Sequence, residues 1–150
     1  MKIVLQRVLS TQVEVNSNIV GKINKGYLVF LGVGGSDSEK DVIYLAEKVA
    51  NLRIMPDEAD KMNRSLKEVG GELLVVSQFT LYGETKGQNR PSFITAAKPE
   101  LAKKLYRLFI KQLKAKGFSV QEGVFGTYMK VSSINDGPVT LIMESANQIT

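Results

Sequence analysis

A short stretch near the C-terminus, N-D-G-P-V-T at residues 135–140, limits what this chain can form. It stands between two runs with strand-like composition, residues 128–134 and 139–143. Pro138 has no amide hydrogen, so it fits poorly in a central strand. Gly137 can adopt backbone angles closed to other residues, and an X-Pro bond can be cis. The ordinary interpretation is a β-turn between two separate strands.

The absence of two residue types restricts the available chemistry. The chain has 150 residues, predicted to form a single domain over residues 1–150, and it contains no cysteine and no histidine. Disulfides, thiolate nucleophiles, Ser-His-Asp triads and Cys- or His-based metal sites are therefore excluded. Carboxylates, lysines, hydroxyls, backbone amides or the substrate itself must supply any chemistry. We expect no metal ion and no cofactor.

Apolar periodicity predicts the fold class. Residues 11–15 and 19–23 read as a hairpin, residues 27–33 as a buried strand, and residues 72–78 as a further strand. A capping box at residues 36–39 predicts a helix to about Leu52, and a second helix begins at Pro99 and ends before Gly117. About seven strands and two main helices predict an α+β domain with a mostly antiparallel, barrel-like sheet.

Charge and hydropathy bear on partners and location. The net charge of +5 mildly favours a polyanionic partner. No apolar run approaches the roughly 20 residues of a membrane helix, and the N-terminus lacks a signal-peptide core, so we expect a cytoplasmic protein. On the second helix, four cations at helical spacing form either a solvated face or a phosphate-contacting surface. These are Lys103, Lys104, Arg107 and Lys111.

A second unusual stretch, S-Q-F-T-L-Y at residues 77–82, ends the predicted strand 72–78. Its hydroxyls, Ser77 and Thr80, are ordinarily structural, and a nucleophilic Thr80 would need an adjacent base that the local sequence lacks. Backbone amides after Gln78 are better candidates, since they can bind a developing oxyanion without an ionisable group. Phe125 and Met129 are either core residues or the wall of a pocket near Pro138.

Together these stretches resemble the D-aminoacyl-tRNA deacylase family. The resemblance rests on S-Q-F-T-L-Y, on N-R-P-S-F at residues 89–93, on Gly126 and Met129, and on N-D-G-P-V-T. It extends over essentially the whole chain, including Q-R-V at residues 6–8, L-G-V at 31–33, N-L-R-I at 51–54 and K-M-N at 61–63. Departures are small: Thr127 stands where alanine is usual, and Ser133 where leucine is usual.

The resemblance implies a homodimer that hydrolyses D-aminoacyl-tRNA, and Gly-tRNA(Ala) as well, at a site between subunits. Residues 77–80 of one subunit would face a cis Gly137–Pro138 bond of the other, whose carbonyls hold the α-amino group and reject L-residues. Backbone amides at Phe79 and Thr80 and the 2′-hydroxyl of the tRNA would supply the chemistry. The implied catalytic residues are Ser77, Gln78, Phe79 and Thr80, and the implied substrate-binding residues are Gly137, Pro138, Val139, Thr140, Met129 and Phe125.

Two other functions remain open on the residues alone. One is an esterase or amidase that uses Thr80 as nucleophile on a small substrate. The other is an RNA-binding module without catalysis.

Overall fold

The structure is a computed structural model and describes residues 1–145. It contains a six-stranded sheet, a separate two-stranded sheet and two helices. The strands are β1 (Lys2–Val15), β2 (Asn18–Ile23), β3 (Gly26–Gly32), β4 (Met55–Pro56), β5 (Met62–Arg64), β6 (Glu72–Ser77), β7 (Val120–Glu122) and β8 (Lys130–Glu144). The helices are α1 (Glu39–Asn51) and α2 (Pro99–Ala115), and a short 3₁₀ helix covers Phe79–Tyr82.

The long strand β1 organises the sheet. It pairs antiparallel with β3 through its first half, with β2 through its second half, and with β8 along its other edge. Parallel pairings of β3 with β6 and of β6 with β7 extend the sheet. Three of these five pairings are antiparallel, which confirms the predicted α+β class and its mostly antiparallel sheet.

The sheet curls until its two ends meet. A Cβ atom added at Gly21 of β2 would lie 2.8 Å from the Glu122 carbonyl oxygen of β7, although these strands are not hydrogen-bonded neighbours. Glycine permits this approach because it has no side chain. The predicted barrel-like shape therefore follows from the contact between the first and last strands of the sheet path.

Both faces of the curled sheet bury apolar side chains. The larger cluster joins the sheet to the two helices and includes Tyr27, Leu45 and Phe109. The smaller cluster lies inside the curl. Its buried members are Val8, Val13, Ile23, Leu28, Leu74 and Val76. Both faces of β3 and β6 are covered by these clusters. Their sequences are therefore nearly continuous apolar runs, as expected for strands buried on both faces.

Three expectations on local structure need correction. Residues 11–15 are not a separate strand but the second half of one strand that runs from Lys2 to Val15. The capping box of α1 uses Ser38 and Asp41, with the Ser38 amide and hydroxyl both donating to the Asp41 carboxylate at 2.8 Å. The predicted box at residues 36–39 is wrong because α1 begins at Glu39, two residues later than that box requires. Asp37 accepts from the Gly34 amide, at 2.6 Å, and pairs with the Met1 ammonium. α1 and α2 themselves are confirmed.

The third correction concerns the stretch around Gly137. The predicted break between two strands is wrong, because residues on both sides of it pair with β1 and belong to the single strand β8. The Gly137–Pro138 bond is cis, as expected. Residues 136–139 have no partner in β1, since the register passes from Gln6–Thr140 directly to Val8–Asn135. The stretch is therefore a bulge without chain reversal. Within residues 1–145, no helix is long and apolar enough to cross a membrane.

Candidate active site

A cavity of about 630 Å³ lies where β3 and β6 end, beside the start of α2. Its wall is mostly aliphatic and aromatic, with a few hydroxyl and amide groups. The lining residues are Leu31, Val33, Val76, Ser77, Gln78, Phe79, Phe93, Ala96, Ala97, Pro99, Ala102, Tyr106, Phe125, Gly126, Thr127, Tyr128, Met129 and Val131. Most of the sequence-predicted catalytic residues, together with Phe125 and Met129, therefore surround one space.

The end of β6 leaves two backbone amides free beside this cavity. Sheet pairing continues as far as Gln78, whose amide donates to the Leu31 carbonyl at 2.8 Å. The chain then turns into the 3₁₀ helix, whose first amides have no acceptor within it. Within residues 1–145, the amides of Phe79 and Thr80 donate to no acceptor. Two adjacent free donors can bind an oxyanion.

The Thr80 hydroxyl is held by a neighbouring amide. The Gln78 side chain donates from Nε2 to Thr80 Oγ1, and Thr80 does not line the cavity. A hydroxyl oxygen that accepts from an amide is not activated as a nucleophile, because activation requires a base to take its proton. Phe79 is 58% exposed and packs edge-on against Phe93, with 5.0 Å between ring centroids.

The cavity wall offers no ordinary general base. Its polar side chains are Ser77, Gln78, Thr127, Tyr106 and Tyr128, and the part of the chain that the structure describes, residues 1–145, contributes no carboxylate or ammonium group to it. Burial raises the pKa of Tyr106 above its usual range, and its hydroxyl donates to the Val75 carbonyl at 2.9 Å. Tyr106 is therefore neutral and already committed to a structural contact. Reaction in this cavity must depend on neutral donors and on groups of the ligand.

The bulge in β8 is stapled by the side chain of Asn135. Its Oδ1 accepts from the Val139 amide at 3.2 Å, and its Nδ2 donates to Thr140 Oγ1 at 3.0 Å. Thr140 Oγ1 also accepts from Gln6 Nε2 of β1, at 3.3 Å. These contacts span residues 136–138 and explain why asparagine and threonine bracket the motif.

Arg7 anchors the same bulge from β1. It is buried, its Nε lies 3.0 Å from Asp136 Oδ2, and its Nη1 donates to the Ile54 carbonyl at 2.7 Å. Burial raises the pKa of the adjacent Tyr27 to about 12, partly opposed by the Arg7 charge, so Tyr27 stays neutral. Asp136 is then the counter-ion of Arg7, and together they fix the position of Gly137.

The two signature stretches do not meet within one chain. Gly137, Pro138, Val139 and Thr140 are absent from the lining of the cavity that contains residues 77–79. The expected pocket of Phe125 and Met129 near Pro138 is therefore not formed by a single copy. Phe125 and Met129 lie with Ser77 instead.

Comparison of the sequence with known protein families identifies the family of this chain. The family model described as D-Tyr-tRNA(Tyr) deacylase matches residues 4–144, which include both signature stretches. The chain belongs to this family. Two relatives with curated names share more than half of their aligned residues with it. A D-aminoacyl-tRNA deacylase of Clostridioides difficile (strain 630) is 53% identical over 97% of this chain and 98% of its own length. Another, of Desulfatibacillum aliphaticivorans, is 56% identical over 97% and 99%.

Solved structures agree on the fold. A protein titled c-Myc DNA Unwinding Element Binding Protein superposes with a TM-score of 0.90 at 37% identity, covering 96% of this chain and 98% of that one. A structure titled as a probable eukaryotic D-amino acid tRNA deacylase has a TM-score of 0.83, with 95% and 98% coverage. At 16% identity it supports the fold alone.

In this deacylase-family chain, the four predicted cations of α2 lie along a shallow depression of about 560 Å³, here called the basic groove. Its residues are Glu39, Glu100, Lys103, Lys104, Arg107, Leu108 and Lys111. Lys104 pairs with Glu39 at 2.9 Å, whereas Lys103, Arg107 and Lys111 form no ion pair with residues 1–145. Three of the four cations therefore remain available to an external anion.

Sequence reasoning missed several residues of the site. The far wall of the cavity consists of Phe93, Tyr106 and the alanines at 96, 97 and 102, none of which was predicted as a site residue. Only Phe93 carried a signal, as the last residue of the N-R-P-S-F stretch. Tyr106 follows Leu105 on the buried side of α2, so the sequence pattern indicates an ordinary core residue there and not a cavity wall. Arg7 could have been found, because an arginine inside an otherwise alternating strand requires a buried acceptor.

Proposed function

We propose that this chain hydrolyses the ester bond of D-aminoacyl-tRNA and releases a free D-amino acid and tRNA. The observation that carries the proposal is the pair of free amides at Phe79 and Thr80, at the edge of a cavity without ionised side chains. Membership of the deacylase family supports the substrate class.

The chemistry uses backbone and substrate groups. Water adds to the ester carbonyl carbon, and the two amides stabilise the negative oxygen of the tetrahedral intermediate. The acyl carbon–oxygen bond to the ribose then breaks. The neighbouring 2′-hydroxyl relays the proton from the attacking water to the departing ribose oxygen. No histidine or cysteine is required, which agrees with a sequence that has neither.

Discrimination against L-residues comes from Gly137 and Pro138 of a second copy. Their carbonyls hold the α-amino group and leave no space for an L side chain, whereas glycine, as in Gly-tRNA(Ala), is accepted. Two features support a homodimer. Among residues 1–145, strand β8 pairs with β1 on one edge only, and its side chains Ile134 and Ile142 are exposed. An exposed edge of 15 residues is readily covered by another chain.

The tRNA body is bound through the basic groove. Its three unpaired cations suit phosphate groups, which dominate affinity for nucleic acids. The aminoacyl end is then enclosed by two subunits. One subunit contributes Phe125 and Met129, and the other contributes the four substrate-binding residues 137–140.

Hydrolysis assays test the proposal. Release of amino acid is measured from D-tyrosyl-tRNA, L-tyrosyl-tRNA and D-tyrosine methyl ester under single-turnover conditions. We expect fast hydrolysis of the D-aminoacyl-tRNA only. Comparable hydrolysis of the methyl ester would support a small-molecule esterase, and binding without hydrolysis would support a non-catalytic RNA-binding module.

The role of Thr80 separates the two catalytic alternatives. Removing an oxyanion donor costs roughly 10²–10³-fold in rate, but Thr80→Ala keeps the backbone donor. We therefore expect Thr80→Ala to lose less than about tenfold, with its unfolding midpoint unchanged. A loss of several orders of magnitude in a folded protein, or a trapped acyl-threonine, would establish the nucleophilic mechanism instead.

A further inference from the structure

Tyr128 lies at the mouth of the cavity with its ring in solvent. It lines the cavity beside Thr127 and Met129, yet 82% of its surface is exposed. With the exposed rings of Phe79 and Phe93 it makes the rim of this cavity strongly apolar, and exposed apolar patches mark binding surfaces. The other exposed aromatics of the rim, Phe79 and Phe93, already pack against each other. Within residues 1–145, Tyr128 has no aromatic partner.

A cation also adjoins the cavity wall in the sequence. Lys98 is exposed and stands between Ala97 and Pro99, both of which line the cavity. It forms no ion pair with any residue of the described chain. An exposed aromatic face combined with unpaired cations binds single-stranded nucleic acid, through base stacking and phosphate contact.

We infer that Tyr128 is a positioning residue that stacks on the nucleotide preceding the terminal adenosine, with Lys98 near the phosphate between them. This rests on the proposed function, since the aminoacyl-adenosine must occupy the cavity. The next nucleotide then leaves through the mouth, where Tyr128 is the only exposed aromatic ring without a partner among residues 1–145. Stacking of this kind is tolerant of base identity, as a constant single-stranded end requires.

The test uses substrates of increasing length. D-tyrosyl esters of adenosine, of the dinucleotide cytidylyl-adenosine and of intact tRNA are compared for wild type, Tyr128→Ala and Tyr128→Phe. We expect Tyr128→Ala to raise KM roughly 5- to 100-fold for the dinucleotide and tRNA esters, with kcat retained. The adenosine ester should be unaffected, and Tyr128→Phe should restore KM because it keeps the ring.

Ile94→Ala is the matched control. Ile94 is 91% exposed and adjoins Phe93 in sequence, but it does not line the cavity, so its truncation should leave all three KM values unchanged. Equal effects of Tyr128→Ala on the adenosine and dinucleotide esters would overturn the stacking role. So would a shift of Tyr128→Ala from dimer to monomer by light scattering, because Tyr128 would then be an interface residue. If wild type hydrolyses none of the esters, the proposed function itself has failed.

Discussion

Replacing Gly137 with alanine tests the bulge that the structure shows in β8. Gly137 has a φ of +124°, a region that residues with a side chain rarely adopt. An added Cβ would lie 2.7 Å from Val139 Cγ2, 3.0 Å from the Val139 nitrogen and 3.2 Å from Arg7 Nη2. Backbone strain at such an angle costs about 1–3 kcal/mol, and overpacking adds about 1–3 kcal/mol. Gly137→Ala should therefore destabilise the fold by about 2–6 kcal/mol.

Gly70→Ala supplies the matched control. Gly70 also has a positive φ, +63°, but a Cβ there meets nothing within 4 Å. It should lose only about 1–2 kcal/mol, the cost of the left-handed conformation alone. Urea unfolding at one fixed protein concentration measures both variants, since dimer formation makes apparent stability depend on concentration. Single-turnover hydrolysis of D-tyrosyl-tRNA then reports whether only Gly137→Ala loses activity.

One result would refute this reasoning. If Gly137→Ala unfolds at the same urea concentration as Gly70→Ala and hydrolyses D-tyrosyl-tRNA at the wild-type rate, the bulge tolerates a side chain. Its geometry would then have no part in holding the substrate.

The remaining predictions concern charges. Arg7→Met should destabilise by about 3 kcal/mol, the low end for a broken buried pair because the Asp136 side chain is 27% exposed. Lys2→Met breaks the exposed ion pair with Glu144 and should lower the free energy of unfolding by about 1 kcal/mol or less. Urea unfolding measures the stability of both variants. Replacing the three unpaired cations of the basic groove with glutamine should reduce the slope of log binding constant against log salt concentration for tRNA by about 2–3. Replacing Lys22, Lys25 and Lys67 with glutamine is the control and should leave this slope unchanged. Although burial opposes it, hydrogen bonds from Ser145 and Ser38 hold the pKa of Asp41 below its usual value. Asp41 therefore stabilises the fold above its unfolded pKa of about 3.9, and this stabilisation is lost as the pH falls below that value. In thermal melts, the melting temperature of Asp41→Asn should fall furthest below that of wild type at neutral pH.

The helices, the first hairpin and the fold class could be predicted because local pattern determines them. Apolar spacing and an N-terminal proline define α2, and alternation with a short polar turn defines β1 and β2. The error at Gly137 arose because a Gly-Pro pair ordinarily interrupts pairing. In the structure, Asn135 binds the Val139 amide within β8, and Arg7 of β1 pairs with Asp136. The second contact joins residues more than a hundred positions apart in the chain, so local pattern could not predict it.

The candidate site was only partly visible for a related reason. Residues 77–80 could be found because they form an unusual motif. The far wall of the cavity, in contrast, consists of alanines, Phe93 and Tyr106. Small and aromatic residues are ordinary core components, and a single sequence does not distinguish a cavity wall from a packed core. Only the fold brings the start of α2 to the end of β6 and leaves space between them.

The register of the sheet explains why a second copy is needed. The bulge lies opposite Arg7, whereas the Gln78 amide is bound by Leu31, which pairs with Ile3 of β1. Four residues along β1, at about 3.4 Å each, and three strand spacings from β8 to β6, at about 4.8 Å each, separate the two stretches by roughly 20 Å along the sheet. Gly137 and Pro138 do not line the cavity that contains Ser77 and Phe79, so one chain does not bring the two stretches to the same space. Under the proposed function, Gly137 and Pro138 must therefore act on the cavity of another subunit, and a monomer would keep the oxyanion donors while losing its discrimination between D- and L-residues.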